Sequence, residues 1–201
     1  MTVETPGARR QQIEDAASAL FRERGYAATS VRDIAQALNI QGPSLYAHVA
    51  SKEDVLWSIV IRAAGRFNEE VGPVAAGRDS AAPQKLRDMI RGHAAVVTSS
   101  QKDAAVFLHE WRFLSADRRA DVARRRDAYE ALFRGVIDEG MRTGDFHTVD
   151  SRLTAMAILS ALNGIATWYR TDGPLTADQI ADQHADLFLQ ALQNPAPEMH
   201  S

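Results

Sequence analysis

No cysteine occurs anywhere in the chain. Disulfide scaffolds, thiolate metal sites and cysteine nucleophiles are therefore excluded, and a reducing cytoplasm is the expected setting. Long apolar runs are also lacking. The uncharged stretch from Leu153 to Tyr169 is flanked by Arg152 and Arg170 and interrupted by Thr154, Ser160, Asn163, Gly164 and Thr167. It falls short of the roughly 20 largely apolar residues that a spanning helix needs, and reads instead as a helix buried on most sides within a soluble assembly. The polar start, Met1 to Gln12, contains no apolar core of a secretory signal. An excess of positive charge is the third absence. The formal net charge is −3, so any affinity for nucleic acid has to come from a local surface. What the chain does have is 45% hydrophobic residues, enough for a substantial globular interior.

Those residues recur with helical spacing, and no alternating strand pattern or internal repeat stands out. Ile13, Ala16, Ala17, Leu20 and Phe21 form one stripe that stops at Gly25, a natural residue after a helix end. Val31, Ile34, Ala35 and Leu38 share a second face, with Ser30 and Asp33 as a capping box and Asn39 suited to a left-handed stop. Pro43 fits the first turn of a third helix. Ser51 and Asp54 cap a fourth that carries Leu56, Ile59, Val60, Ala63 and Phe67. Gly72–Pro83 is small and turn-rich and reads as a flexible loop. Further helices are expected from Pro83, from Lys102 through Leu114, from Asp117 to Thr143 with Gly144 as its stop, from Asp150 to Arg170, and after Thr176 with Gln179 as its capping partner. The expected fold is all-α, with about nine helices. An N-terminal three-helix domain over residues 1–52 precedes a helical bundle over residues 53–201.

A short helix, a tight turn at Asn39–Gln41 and a second short helix have the layout of a helix-turn-helix. In that motif the start of the second helix meets base edges. Here this places Gln41, Gly42, Pro43 and Ser44 at the bases, with small residues allowing close approach and the Gln41 amide able to read an edge. Tyr46, His48 and Lys52 offer donors to phosphates, as do Thr29 and Ser30. Each has a purely structural alternative: Ser30 caps a helix with or without DNA, Tyr46 can be packing, and Lys52 can be a solvated charge.

Residues 13–60 also resemble the DNA-binding domain of the TetR family of bacterial regulators. The resemblance is carried by Ala17, Phe21, Gly25, Tyr26, Thr29, Ile34, Ala35, Leu45, Tyr46, His48, Ser51, Lys52 and Leu56. It implies a homodimer, with three DNA-binding helices and about six more per subunit, acting on a pseudo-palindromic double-stranded operator. It also implies base contacts at Gln41–Ser44 and Arg32, and phosphate contacts at Tyr46, His48 and Lys52. Two departures are Asn39, where glycine is common in the turn, and Val49, where an aromatic is more frequent.

In the second half, His93, Glu110 and Asn163 are polar groups on otherwise apolar helix faces. Left unpaired in a core they cost about 1–3 kcal/mol each, so internal partners, water or a ligand must satisfy them. With Phe107, Trp111, Tyr129, Phe133, Thr167 and Trp168 they are candidates to line an apolar small-molecule pocket, although aromatics at this spacing are more often core. A metal site from His93, His109 and Glu110 is not expected, because adjacent residues point about 100° apart on a helix. The last two helices resemble the TetR branch that senses acyl-CoA thioesters, through Trp168-Tyr169-Arg170 and Gly173-Pro174-Leu175-Thr176. Asn163 and Thr167 stand where some steroid-catabolic members carry tryptophan and arginine, which argues against a steroid-derived ligand. Arg118, Arg119, Arg124, Arg125 and Arg126 suit phosphate recognition, yet Asp117, Asp121 and Asp127 interleave, so a salt-bridged surface is expected. Small residues on several sides of the eighth helix point to dimerisation through helices eight and nine.

The expected function is a cytoplasmic, dimeric transcriptional repressor released from its operator by a small hydrophobic or acyl-CoA-type effector. No cofactor is expected. A DNA-binding regulator without a ligand is the alternative. No Gly-x-Ser-x-Gly elbow, P-loop or dinucleotide fingerprint supports an enzyme.

Overall fold

The computed structural model of the chain describes residues 6–194. The first and last residues of the two expected domains, including the polar start Met1–Thr5, lie outside the described residues. Every regular element among the described residues is helical: α1 (Pro6–Arg24), α2 (Val31–Ala37), α3 (Gly42–Tyr46), α4 (Lys52–Ala76), α5 (Ala82–Ser99), α6 (Gln101–His109), α7 (Ala116–Thr143), α8 (Ser151–Trp168) and α9 (Ala177–Gln193), with one 3-10 turn at Trp111–Phe113. No described helix is long and apolar enough to cross a membrane.

Local signals in the sequence account for most boundaries. Gly25 and Gly144 both take φ near +82°, and Asn39 takes φ 53°. These are the left-handed stops that glycine and asparagine tolerate best. Ser30 with Asp33, and Thr176 with Gln179, close reciprocal capping boxes. Each cap contributes about 1 kcal/mol to its helix. Asp150 caps α8 by accepting from the Leu153 amide at 2.9 Å.

Two boundaries differ from the sequence reading. The turn-rich segment after Gly72 is not all loop, because α4 continues through Pro73 to Ala76. Val71 is fully buried there, and Gly92 of α5 approaches so closely that an added Cβ would lie 3.5 Å from both the Glu70 carbonyl and the Val71 side chain. Packing on α5 thus outweighs the proline penalty near the helix end. Conversely, α6 stops at His109, so Glu110, Trp111 and Leu114 lie beyond it. A Phe113 N–H to Glu110 carbonyl bond of 3.0 Å tightens the chain into the 3-10 turn.

The chain divides into two compact units: residues up to Ala64 with Lys102–Arg124, and Gly65–Gln101 with residues from Arg125 onward. In the first, Ile13, Ala17, Phe21, Ile34, Leu45, Leu56 and Ile59 are essentially inaccessible, and α2 packs on both α1 and α3. In the second, α5 packs on α8 and α9, with Leu86, Met89, Ile90, Ile137, Ile158 and Leu162 at its centre. Each such side chain contributes about 2 kcal/mol of burial.

Candidate nucleic-acid interface and ligand site

The surface of the first unit is organised by what α2 and α3 hide. Ile34, Ala35 and Leu45 turn inward, which leaves Arg32, Gln41, Pro43, Ser44 and Tyr46 exposed. Tyr46 is 55% exposed, pointing away from the buried Leu45 beside it on the helix. Ser30, Val31, Arg32, Gly42, Pro43 and Tyr46 together line one shallow concavity. Residues from the starts of two helices are thus brought onto one face. His48 is half-buried.

Three of the expected phosphate donors are engaged within the protein. The Ser30 hydroxyl donates to Asp33 at 2.6 Å, and this bond holds the Asp33 carboxyl below its usual range. Thr29 is 1% exposed and donates to the Gly25 carbonyl at 2.9 Å, so its side chain is withdrawn from the surface. Lys52 donates to the carbonyls of Tyr26 and Thr29 at 2.9 and 2.7 Å, and its ammonium lies 4.0 Å from the Tyr26 ring centroid. Partial burial pulls its pKa below the ordinary lysine value.

The aromatic residues of the second half do not all gather together. His93, Tyr129 and Phe133 form a buried cluster with Phe67, a residue the sequence reading placed on the apolar side of α4 without counting it as a site residue. Nδ1 of His93 lies 3.0 Å from the Tyr129 hydroxyl. Burial lowers the His93 pKa to about 3, with the Asn163 side chain opposing the shift, and raises that of Tyr129. The imidazole is therefore neutral, held between the Tyr129 hydroxyl and the Asn163 side chain. Thr167 and Trp168 are exposed, and the Thr167 hydroxyl donates to Gly164 within its own helix at 2.7 Å.

Phe107, Glu110 and Trp111 belong to the other compact unit. Glu110 is buried and accepts from the Tyr26 amide at 2.9 Å. Its partner is therefore internal, the structural alternative already weighed for it. Three arginines of the run are likewise engaged within the protein. Arg118 pairs with Glu53 and Asp54, Arg119 donates to the Leu114 carbonyl, and Arg124 pairs with Asp121. No group of three or more potential metal ligands occurs among the described residues.

A family model described as "Bacterial regulatory proteins, tetR family" matches residues 13–59. A second, "Tetracyclin repressor-like, C-terminal domain", matches residues 79–192. The chain belongs to the TetR family. Its helix-turn-helix is the family's N-terminal module, and the helices from α5 to α9 fall within the family's C-terminal domain. Among TetR-family relatives, the HTH-type transcriptional repressor KstR2 of Rhodococcus jostii is 31% identical over 93% of this chain and 92% of that one. The structure of the ketosteroid transcriptional regulator KstR2 of Mycobacterium tuberculosis superposes with a TM-score of 0.88 at 25% identity, covering 96% of this chain and 98% of that one. AibR, crystallised with isovaleryl coenzyme A and operator DNA, gives a TM-score of 0.81 at 28% identity over 89% of this chain and 97% of that one. The two KstR2 proteins are transcriptional regulators.

Proposed function

We propose that this TetR-family protein is a cytoplasmic homodimeric repressor, not an enzyme, that binds a pseudo-palindromic operator and is released by an acyl-CoA-type effector. The carrying observation is the concavity that joins Ser30, Arg32, Gly42, Pro43 and Tyr46 on one exposed face. Residues 1–52 act as the DNA-binding domain, and residues 53–201 bind the effector and dimerise. Gln41, Gly42, Pro43 and Ser44 approach base edges, with Arg32 beside them. Tyr46, His48 and Ser30 meet phosphates, Ser30 by exchanging its bond to Asp33.

The effector reading is supported by the buried polar group of His93, with Asn163 beside it, among aromatic rings and by the isovaleryl coenzyme A bound to the related AibR. His93, Tyr129, Phe133 and Asn163, joined by Phe67, line the effector site, the His93–Asn163 pair being the polar anchor for an otherwise apolar acyl chain. Helices α8 and α9 expose Leu153, Met156 and Leu187, apolar surface that a second copy covers. Effector binding shifts the dimer towards a state whose recognition helices no longer match successive major grooves.

The test is anisotropy of labelled DNA from the protein's own promoter region, titrated with the protein and then with acyl-CoA thioesters of graded chain length. The expected result is tight binding reversed by a subset of thioesters but not by their free acids. Failure to retain any DNA fragment would overturn the regulator reading. Retention indifferent to every thioester and free acid would favour a regulator without a ligand.

A further inference from the structure

We infer that Glu110 and Lys52 are a matched pair of positioning residues for operator binding, gripping the loop between α1 and α2 from its N–H and C=O sides. This rests on the operator-binding reading above. The loop Gly25–Thr29 leads directly into Ser30, the cap of α2, and α2 supplies Ser30, Val31 and Arg32 to the concave face. Whatever holds this loop therefore sets where those residues stand.

The grip is made at three points. The Glu110 carboxylate takes the Tyr26 N–H at 2.9 Å. The Lys52 ammonium takes the carbonyls of Tyr26 and Thr29, at 2.9 and 2.7 Å, so both sides of residue 26 are bound. The Tyr26 ring packs edge-on to Phe21 at 5.2 Å and stacks with Phe113 at 5.5 Å. Phe113 lies in the 3-10 turn just after Glu110, so one short segment supplies both the carboxylate and the stacking ring.

This arrangement changes the expected role of Lys52. An ammonium has three N–H donors, and two are spent on loop carbonyls while the cation rests over the Tyr26 ring. Its dominant contribution is to loop geometry rather than a direct bond to phosphate. Glu110 is likewise a loop holder. A buried carboxylate accepting from a backbone amide is the stronger, charge-assisted kind of bond.

Two readouts test the pair, one of them independent of DNA. Hydrogen exchange at the Tyr26 amide in the free protein is expected to accelerate at least tenfold in Glu110→Ala and to stay close to wild type in Glu110→Gln, which keeps an acceptor oxygen. Operator affinity is expected to fall about tenfold in Glu110→Ala and in Lys52→Ala, and to be retained in Glu110→Gln. The double variant is expected to lose much less than the product of the single losses, because both residues hold one loop. Multiplicative losses, with the salt slope reduced by about 1 in Lys52→Ala, would instead identify Lys52 as a phosphate contact and overturn the pairing. Unchanged Tyr26 exchange in Glu110→Ala would also overturn it. If the wild type binds no operator, the regulator reading fails while the exchange experiment still decides whether the grip exists.

Discussion

Nδ1 of His93 sits 3.0 Å from the hydroxyl of Tyr129, and burial keeps the imidazole neutral, with its pKa near 3. In the unfolded chain the same histidine titrates near 6.5. Below that value the unfolded state takes up a proton that the folded state refuses. His93 therefore penalises stability as pH falls from about 6.5 towards 3, and has little effect above 6.5. Between pH 7 and pH 5 the expected loss is about 2 kcal/mol. Urea unfolding at the two pH values should show wild type losing that much more than His93→Gln. Equal losses would mean that the imidazole is protonated in the fold.

The exposed apolar face of α8 and α9 makes a second expectation. Leu153 and Leu187 are 65% and 62% exposed. Leu153→Glu combined with Leu187→Glu should convert the dimer to a monomer in sedimentation velocity, with helical content retained. Operator affinity should fall with it, since one subunit reaches one half-site. A dimeric mass for this variant would place the interface elsewhere.

Gly140 is a packing requirement. A Cβ at that position would run into the Phe146 ring, and Phe146 is buried with its amide bonded to the Gly140 carbonyl at 3.0 Å. Gly140→Ala has to push a buried ring aside, a cost of about 1–3 kcal/mol. Gly135 lies on the same helix with open space at its Cβ, so Gly135→Ala should be neutral or stabilising by up to about 1 kcal/mol. Comparing their thermal midpoints checks both.

A polar cluster in the first unit yields a fourth. Asp103 accepts from Ser18 at 2.7 Å and from Arg62 at 3.0 Å, and Arg62 also bonds Glu14 at 2.6 Å. Asp103→Ala leaves the Arg62 cation and the buried Ser18 hydroxyl short of an acceptor, which costs about 3 kcal/mol. Ser18→Ala removes one hydrogen bond and should cost about 1 kcal/mol. Denaturant midpoints that rank the two the other way would show that Arg62 finds sufficient compensation in Glu14 and Asp15.

Much of this molecule is written locally. The apolar stripes, the Ser30 and Thr176 capping boxes, and the left-handed stops at Gly25, Asn39 and Gly144 depend on residues only a few positions apart, where helix geometry makes sequence spacing and spatial proximity equivalent. The order of the helices and the exposed start of α3 follow from that information, as does the family to which the chain belongs. Tertiary structure decided the rest. Glu110 shares an apolar register with Phe107 and Leu114, so spacing alone made it a pocket candidate, but its partner is an amide 84 residues away. Lys52 looks like a free surface cation until the loop carbonyls of Tyr26 and Thr29 fold back beneath it. Local periodicity says which side of a helix is hidden. What a hidden polar group bonds to is set by the long-range packing that buries it, because desolvation forces it to take whatever partner the fold provides.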